Sequence, residues 1–206
     1  MKSYKTLFIA FLLLNTSLFA QKYPTLKIGQ EMPMQDTEIF DVYEKSMTLN
    51  TNTKRKGILV IFTSNSCPFV VMWEDRYKLL EKKCMNSDLG LVYINSNQAR
   101  RDSDDSVEEM KKHSIRMGYT FPYLIDKNSK IANSFGAKTT PHIFLFNNEK
   151  VLVYKGAIDN NYKSINDVTK NYLLDAIQEV NDQKSISISE TKAVGCSIKR
   201  VKKKDK

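Results

Sequence analysis

The chain has 206 residues, of which 41% are hydrophobic and 27% charged, as expected for one globular domain with short extensions. Three cysteines exclude a disulfide-dense scaffold and a Cys-rich zinc module, and two histidines in unrelated segments provide too few ligands for a metal site. The net charge of +9 is concentrated in residues 192–206, which hold seven basic side chains and one acidic side chain. We predict that this basic terminus is solvated; the alternative is that it is attracted to an anionic membrane surface. We predict no nucleic-acid partner, no metal and no cofactor.

The first twenty residues have the features of a secretory signal peptide. Lys2 and Lys5 precede an apolar run at residues 7–14, and the segment ends at the small residue Ala20. Because this run is too short to span a bilayer, we predict cleavage after Ala20 and no stable membrane anchor afterwards. The alternative is an uncleaved N-terminal anchor. A signal peptide at 1–20 would export the protein to the periplasm or the exterior, an oxidising environment in which cysteine pairs persist.

Beyond the signal peptide, the hydrophobic pattern alternates between strands and helices. Residues 37–49 are predicted to form two short strands about a turn, an N-terminal β extension. The other predicted strands are residues 58–62, 91–94, 121–125, 143–146 and 151–154, and predicted helices begin near positions 68, 107, 129 and 173. This alternation predicts an α/β fold with a central mixed sheet and helices on both faces. The domain is predicted to span 21–185, with a C-terminal arm at 186–206; from position 181 onwards the chain is predicted to be loosely structured.

Cys67 lies where a predicted strand ends and a predicted helix begins. The apolar strand is followed by a polar turn, then by Cys67 and Pro68, and proline suits the first turn of a helix. The N-terminus of a helix carries partial positive charge and free N–H groups, which favour the thiolate, the nucleophilic form of cysteine. In open α/β sheets, sites form beyond the carboxyl ends of strands. We therefore predict Cys67 as the catalytic nucleophile.

Two further residues with reactive side chains are predicted to have no part in the chemistry. Cys84 continues the apolar stripe that starts at Val70 with spacings of three and four residues, so it is predicted to be a small buried filler. His113 lies off the stripe marked by Met110 and Met117 on the following helix. It is predicted to be solvated.

Several stretches together resemble one known family. They are S-N-S-C-P-F-V at 64–70, Y-I-N-S-N at 93–97, F-P-Y-L-I-D at 121–126, F-G-A-K-T-T-P-H-I-F-L-F at 135–146, Y-K-G-A-I-D-N-N at 154–161 and A-V-G-C-S-I-K at 193–199. In this order and spacing they are similar to the thioredoxin fold. In particular they resemble the exported, peroxiredoxin-like redoxins of the alkyl hydroperoxide reductase and thiol-specific antioxidant superfamily. The resemblance covers most of the chain after the signal peptide and implies a thioredoxin-like fold.

The resemblance also implies roles for residues around the nucleophile. Cys67 matches the first, nucleophilic cysteine of the thioredoxin C-x-x-C motif, and Pro141 matches the proline that follows a cis peptide bond and faces that cysteine. The Thr140 backbone would then point towards a bound substrate chain, and Ser66 and Pro68 complete the predicted substrate-binding set. The alternative is that Thr140 and Pro141 simply begin an edge strand.

A second thiol is needed to complete a redox cycle, and the sequence offers one candidate. Val70 occupies the position of the second thioredoxin cysteine, so a resolving thiol must come from elsewhere. Because Cys84 is predicted to be buried, Cys196 is that candidate. It lies in a stretch shared with the family, on an arm predicted to be mobile enough to swing in. The alternatives are resolution by an external thiol and a bystander role for Cys196.

The peroxidase pattern of the family is matched only in part. Peroxidases of this family bind the peroxide oxygens with a hydroxyl side chain three residues before the cysteine, and they place an arginine near the thiolate. Ser64 occupies the first position, while a threonine, Thr63, lies one residue earlier. Candidates for the arginine are Arg76, Arg100 and Arg101.

The predicted function is that of a thiol-dependent oxidoreductase. The Cys67 thiolate attacks a disulfide or a peroxide, and Cys196 or an external thiol resolves the product. The predicted partners are a disulfide-bearing protein or a peroxide as substrate and a thiol as reductant, with the oligomeric state left open. The alternative function is a non-catalytic module that binds extended peptides along the edge at Pro141.

Overall fold

The computed structural model describes residues 23–201, so the predicted signal peptide and the last five residues lie outside the described part of the chain. The strands are β1 (Ile39–Phe40), β2 (Ser46–Met47), β3 (Ile58–Thr63), β4 (Gly90–Asn95), β5 (Tyr123–Ile125), β6 (Thr139–Thr140), β7 (His142–Phe146), β8 (Leu152–Gly156) and β9 (Cys196–Ser197). The helices are α1 (Leu49–Asn52), α2 (Pro68–Asn86), α3 (Val107–Met117), α4 (Lys130–Phe135) and α5 (Tyr172–Asn181). Among residues 23–201, no helix combines the length and apolarity needed to cross a membrane.

A five-stranded mixed sheet with the order β5-β4-β3-β7-β8 forms the centre of the molecule. Strand β3 pairs in parallel with β4 and antiparallel with β7. Every residue of β3 and β4 is buried, as expected for parallel strands that are covered on both faces. The last two strands of the sheet form the predicted antiparallel hairpin, and β1 and β2 form the predicted N-terminal β extension. The predicted α/β fold with a central mixed sheet is confirmed.

Helices cover both faces of this sheet, as predicted. One core contains Trp73 of α2, Met110 of α3 and Ile177 of α5. The other contains Phe135 of α4 and Met32 of the N-terminal lead-in. Successive residues of β3 alternate between the two cores, because neighbouring side chains of a strand point to opposite faces.

Helix α2 is held in place by a buried ion pair near its first turns. The Arg76 Nε donates to Asp159 Oδ2 at 3.1 Å, and the Trp73 indole N–H donates to Asp159 Oδ1 at 3.2 Å. Both contacts tie the helix to the segment after β8. Cys84, farther along α2, is fully buried as predicted, and burial raises the pKa of its thiol. Cys84 is therefore a protonated filler of the core.

The prediction that His113 is solvated is wrong. His113 is 2% exposed, and its Nε2 lies 2.5 Å from Glu74 Oε1 of α2. Its Nδ1 lies 2.8 Å from Arg116 Nη2, and since a guanidinium can only donate, Nδ1 accepts and the Nε2–H donates to Glu74. A buried carboxylate on the neighbouring helix provides the partner. An apolar stripe cannot reveal such a polar pair.

The prediction that the chain is loosely structured beyond position 181 is wrong for most of the arm that the structure describes. Ser189 O accepts from the Lys155 N–H at 3.0 Å, and the Thr191 N–H donates to Lys155 O at 3.0 Å, so the arm runs along the edge of β8. Farther on, β9 pairs with β6, and Ile198 is only 5% exposed in the second core. The arm is ordered because it satisfies exposed backbone groups at two strand edges.

A buried histidine makes the stability of this fold dependent on pH. Burial, together with the nearby Lys155 and Lys138 charges, lowers the pKa of His142 to about 3, and its Nδ1 accepts from the Lys138 N–H at 3.2 Å. The unfolded chain binds this proton near pH 6.5, so the histidine's contribution to stability is present above that pH and is lost as the pH falls towards the folded value. The variant His142→Asn keeps a hydrogen-bond acceptor at that position, and we expect its stability to depend less on pH.

Urea unfolding of both proteins measures this effect. Between about pH 7 and about pH 4, the unfolding free energy of the wild type should fall by roughly 3 kcal/mol more than that of His142→Asn. Parallel losses in the two proteins would show that His142 does not titrate in this way.

Candidate active site

Cys67 is the N-cap residue of α2 and is separated from the end of β3 by the turn at residues 64–66. Pro68 occupies the first turn of the helix, as predicted. The Cys67 side chain is 4% exposed, and its Sγ donates a hydrogen bond to Thr140 O at 2.9 Å. The thiol therefore lies at the positive end of a 19-residue helix, with little room for anything large to approach it.

The carbonyl that faces Cys67 is fixed by the backbone between β6 and β7. The Thr140–Pro141 peptide bond is cis, so this geometric expectation is confirmed, and the reading of the two residues as an ordinary strand start is wrong. Thr140 is 1% exposed and belongs to β6. The Thr140 carbonyl points to Cys67. The expectation that the Thr140 backbone faces a bound substrate chain stays a prediction.

Cys196 lies beside this pair. Strand β9 runs antiparallel to β6, with Cys196 opposite Thr140 and Ser197 opposite Thr139. Burial raises the pKa of the Cys196 thiol, and a hydrogen bond to Cys67 and the charge of Cys67 raise it further, whereas Lys199 and the Phe69 N–H lower it. The structure thus brings Cys67 and Cys196 together as two free thiols that are hydrogen-bonded to each other beside Thr140.

A polar cavity of about 240 Å³ opens at the two cysteines. The predicted site residues Ser66, Pro68 and Thr140 line it. It is completed by residues that the sequence did not single out as part of the site, namely Asn97, Asp104, Ser197 and Lys199, and by Ser64 and Arg100.

Ser64 is one of the hydroxyl-bearing residues that line this cavity. Its side chain is fully buried, and Ser64 Oγ makes no hydrogen bond to any other described residue. Thr140 Oγ1 is likewise buried without a partner among residues 23–201. By contrast, Thr63 Oγ1 lies 3.3 Å from the Tyr77 hydroxyl and does not line the cavity. The two unpartnered hydroxyls can both donate to and accept from a small polar molecule next to Cys67.

Of the three candidate arginines, Arg100 is the one that lines the cavity with Cys67. Arg76 is committed to the buried ion pair with Asp159. Arg101 donates to the backbone oxygens of Asn95 and Asp105 and supports the loop after β4. The fold thus brings Arg100 to the cavity from a short turn of 3-10 helix, Gln98–Arg100, whose position the sequence pattern could not fix.

A buried carboxylate, Asp105, connects the two segments that carry the cysteines. It accepts from the Asn65 N–H at 2.9 Å, two residues before Cys67, and from Asn97 Nδ2 at 2.9 Å. Asn97 Oδ1 in turn accepts from the Lys199 N–H at 2.8 Å, three residues after Cys196. The polar run after β4 was the signal that could have revealed this connection, because buried amides need partners.

The chain matches the family model described as Redoxin over residues 27–172. Two similar solved structures are a hypothetical protein from Sinorhizobium meliloti 1021 (29% identical, TM-score 0.79, covering 87% of this chain and 97% of that one) and an uncharacterized conserved protein from Geobacillus kaustophilus (26% identical, TM-score 0.80, covering 89% and 96%). Peroxidoxin BcpB from Mycobacterium tuberculosis (17% identical, TM-score 0.52, covering 76% and 94%) shares the fold. No curated protein matches the chain. The predicted resemblance to peroxiredoxin-like redoxins is confirmed, whereas export stays a prediction. The chain belongs to the redoxin family of thioredoxin-fold oxidoreductases.

Proposed function

We propose that the protein is a thiol-dependent peroxidase in which Cys67 reduces a small peroxide and Cys196 resolves the oxidised product. The observation that carries this proposal is the buried, unpartnered hydroxyl of Ser64 in the same cavity as Cys67. The peroxidases that the sequence resembles bind the peroxide oxygens with a hydroxyl group at the position of Ser64, three residues before the cysteine. An extended protein disulfide does not need such a partner, and the narrow access to Cys67 also favours a small substrate.

In the first step the Cys67 thiolate attacks one oxygen of the peroxide. The new S–O bond forms as the O–O bond breaks, so Cys67 becomes a sulfenic acid and the peroxide is reduced to an alcohol or water after taking up a proton. Ser64 donates to the peroxide, and Arg100 stabilises the negative charge that develops on the leaving oxygen.

In the second step the Cys196 thiolate attacks the Cys67 sulfenic sulfur. A disulfide forms between Cys67 and Cys196, and hydroxide leaves and becomes water with the proton given up by Cys196. Because the pKa of Cys196 is raised, it is a thiol at neutral pH, and this step should accelerate as the pH rises. An external dithiol then reduces the disulfide and is itself oxidised.

We also propose that the chain works outside the cytoplasm, where the signal peptide predicted at 1–20 would deliver it. In that compartment a Cys67–Cys196 disulfide would persist until a dedicated dithiol reduced it. The reductant is then an exported or membrane-bound thiol protein rather than a cytosolic one.

Replacement of Ser64 tests the peroxide site. In stopped flow, with the fluorescence of the single tryptophan, Trp73, as the signal, Ser64→Ala should react with hydrogen peroxide about a hundredfold more slowly than the wild type. Alkylation of Cys67 by iodoacetamide should change less than about threefold, because Ser64 is not needed for the thiolate itself. Ser114→Ala is the matched control, since Ser114 is also buried but bonds to Lys111 O.

Two outcomes would count against this function. An unchanged peroxide rate in Ser64→Ala would leave disulfide exchange as the chemistry of Cys67. A wild-type protein that consumes neither hydrogen peroxide nor a small disulfide would favour the non-catalytic peptide-binding module.

A further inference from the structure

Four tyrosines from four different segments of the chain pack together in the core that also contains Cys67. They are Tyr77 of α2, Tyr93 of β4, Tyr119 after α3 and Tyr123 of β5. The rings of Tyr93 and Tyr119 are stacked with their centroids 4.3 Å apart, and Tyr77 stacks on Tyr93 at 5.2 Å. Tyr119 also meets Tyr123 edge to face at 5.8 Å. The four rings form one continuous group, which we call the tyrosine cluster.

The tyrosine cluster extends from the neighbourhood of Cys67 to the protein surface. The Tyr77 hydroxyl lies 3.3 Å from Thr63 Oγ1 at the end of β3. Burial raises the pKa of Tyr77, and the nearby charge of Cys67 raises it further. At the other end of the cluster, Tyr119 is partly exposed. Because neighbouring rings are in contact, an electron can move from ring to ring between the surface and Cys67.

Two members of the tyrosine cluster donate hydrogen bonds to buried carboxylates. The Tyr93 hydroxyl donates to Glu81 Oε1 at 3.2 Å, and the Tyr119 hydroxyl donates to Glu74 Oε1 at 3.3 Å. Glu81 is 2% exposed and Glu74 is 7% exposed. A phenylalanine would fill the space of each tyrosine without a buried polar group, and a buried carboxylate is costly to the fold. The pairing of hydroxyl and carboxylate therefore points to chemistry rather than to packing.

The carboxylates lie where the one-electron oxidation of a tyrosine needs them. A phenol that loses an electron becomes a strong acid, so its proton must pass to a base. Burial raises the pKa of Tyr93 and Tyr119, so neither is a phenolate at neutral pH. Each already donates to a carboxylate, so its proton can move along that hydrogen bond as the electron leaves. Tyr93 and Tyr119 can therefore hold an oxidising equivalent as a neutral tyrosyl radical.

We propose that the tyrosine cluster is a second redox site, which supplies one electron to quench small oxygen-centred radicals that react at Cys67. The radical takes the hydrogen atom of the Cys67 thiol and becomes the corresponding O–H compound, which leaves a thiyl radical on Cys67. Tyr93 or Tyr119 then passes one electron through Tyr77 to the thiyl radical. Cys67 becomes a thiolate, and the phenolic proton moves to the partner carboxylate.

The cycle closes at the surface. An external thiolate gives one electron to the tyrosyl radical at the partly exposed Tyr119 and becomes a thiyl radical, and the carboxylate returns its proton to the phenol. This chemistry goes beyond peroxide reduction, because Cys67 acts in it as a hydrogen-atom donor and not as a nucleophile.

The test uses a radical source that makes no peroxide. Photolysis of a cobalt(III) carbonate complex releases the carbonate radical anion, which becomes bicarbonate when it takes a hydrogen atom. Electron paramagnetic resonance of the full-length protein, frozen after illumination, should show a tyrosyl radical. Tyr93→Phe combined with Tyr119→Phe keeps both rings and removes both hydroxyls that face carboxylates, so the signal should fall at least about tenfold. Tyr43→Phe is the matched control, since Tyr43 is 55% exposed and lies outside the cluster, and its signal should stay within about twofold of the wild type.

A second pair of variants tests the carboxylate itself. Tyr119→Phe alone should keep a tyrosyl signal on Tyr93. Adding Glu81→Gln, which retains the shape of the side chain but removes the base, should lower that signal about tenfold. Loss of packing alone would not produce this difference, because all four rings stay in place.

Cys67→Ser tests the entry route and should lower the wild-type signal about tenfold, because the radical reacts at the thiol. An undiminished signal in Cys67→Ser, in the double tyrosine variant or on addition of Glu81→Gln would overturn the inference. The reaction of Cys67 with hydrogen peroxide should stay within about threefold in the tyrosine variants, which shows that they fold. A wild-type protein that forms the tyrosyl radical but does not react with hydrogen peroxide would refute the peroxidase and support the tyrosine cluster.

Discussion

Cys67→Ser should lower peroxide turnover at least about a thousandfold, because a hydroxyl cannot replace a thiolate as nucleophile. The Sγ of Cys67 lies at the helix N-terminus and at the cavity, and Cys84 is remote from the cavity and protonated by burial. Peroxide consumption in the presence of a dithiol such as dithiothreitol measures the effect.

The matched control for this experiment is Cys84→Ala, which removes the fully buried thiol of α2. This variant should keep its peroxide turnover within about threefold of the wild type and lose stability on the order of 1 kcal/mol through the small cavity it creates. Comparable loss of turnover in both variants would indicate general damage to the fold. Turnover that survives in Cys67→Ser would remove Cys67 from the role of nucleophile.

Cys196→Ser should separate the two steps of the cycle. The first oxidation of Cys67 by hydrogen peroxide should stay within about threefold of the wild-type rate, since Cys196 takes no part in breaking the O–O bond. Steady-state turnover with a dithiol reductant should fall about a hundredfold, because the sulfenic acid then depends on an external thiol. Under excess peroxide the variant should accumulate sulfinic acid on Cys67.

The pH dependence provides an internal check on this variant. In the wild type the second fluorescence phase, disulfide formation, should accelerate as the pH rises, because the pKa of Cys196 is raised above its usual value. The variant should lack that phase at every pH. A second phase that persists with the same pH dependence would assign resolution to another group.

The sequence predicts the strands and the helix that carry the site, because these elements depend on local sequence patterns. Strands β3 and β4 appear as short, continuous apolar runs, since both of their faces are buried. Pro68 marks the start of α2 by its fixed backbone angle. Cys67 follows from these two signals alone. Its position at the carboxyl end of a central strand is a matter of topology rather than of side-chain packing.

The rest of the site depends on contacts between distant segments, which no local pattern contains. The arm has no periodicity, and its order comes from backbone pairing of β9 with β6 and from the burial of Ile198. Arg76, Arg100 and Arg101 are equivalent in the sequence. They differ only in their surroundings in the fold: Arg76 forms an ion pair, Arg100 lines the cavity, and Arg101 donates to two backbone oxygens.

Peptide mapping of the peroxide-oxidised protein by mass spectrometry is the most direct test of the Cys67–Cys196 cycle. After one equivalent of hydrogen peroxide, we expect one disulfide-linked peptide pair that joins Cys67 to Cys196, with Cys84 free, and we expect dithiothreitol to reverse it. Sulfinic acid on Cys67 with Cys196 still a free thiol would contradict the account, because it would show a one-cysteine peroxidase. An unmodified Cys67 would contradict it more completely.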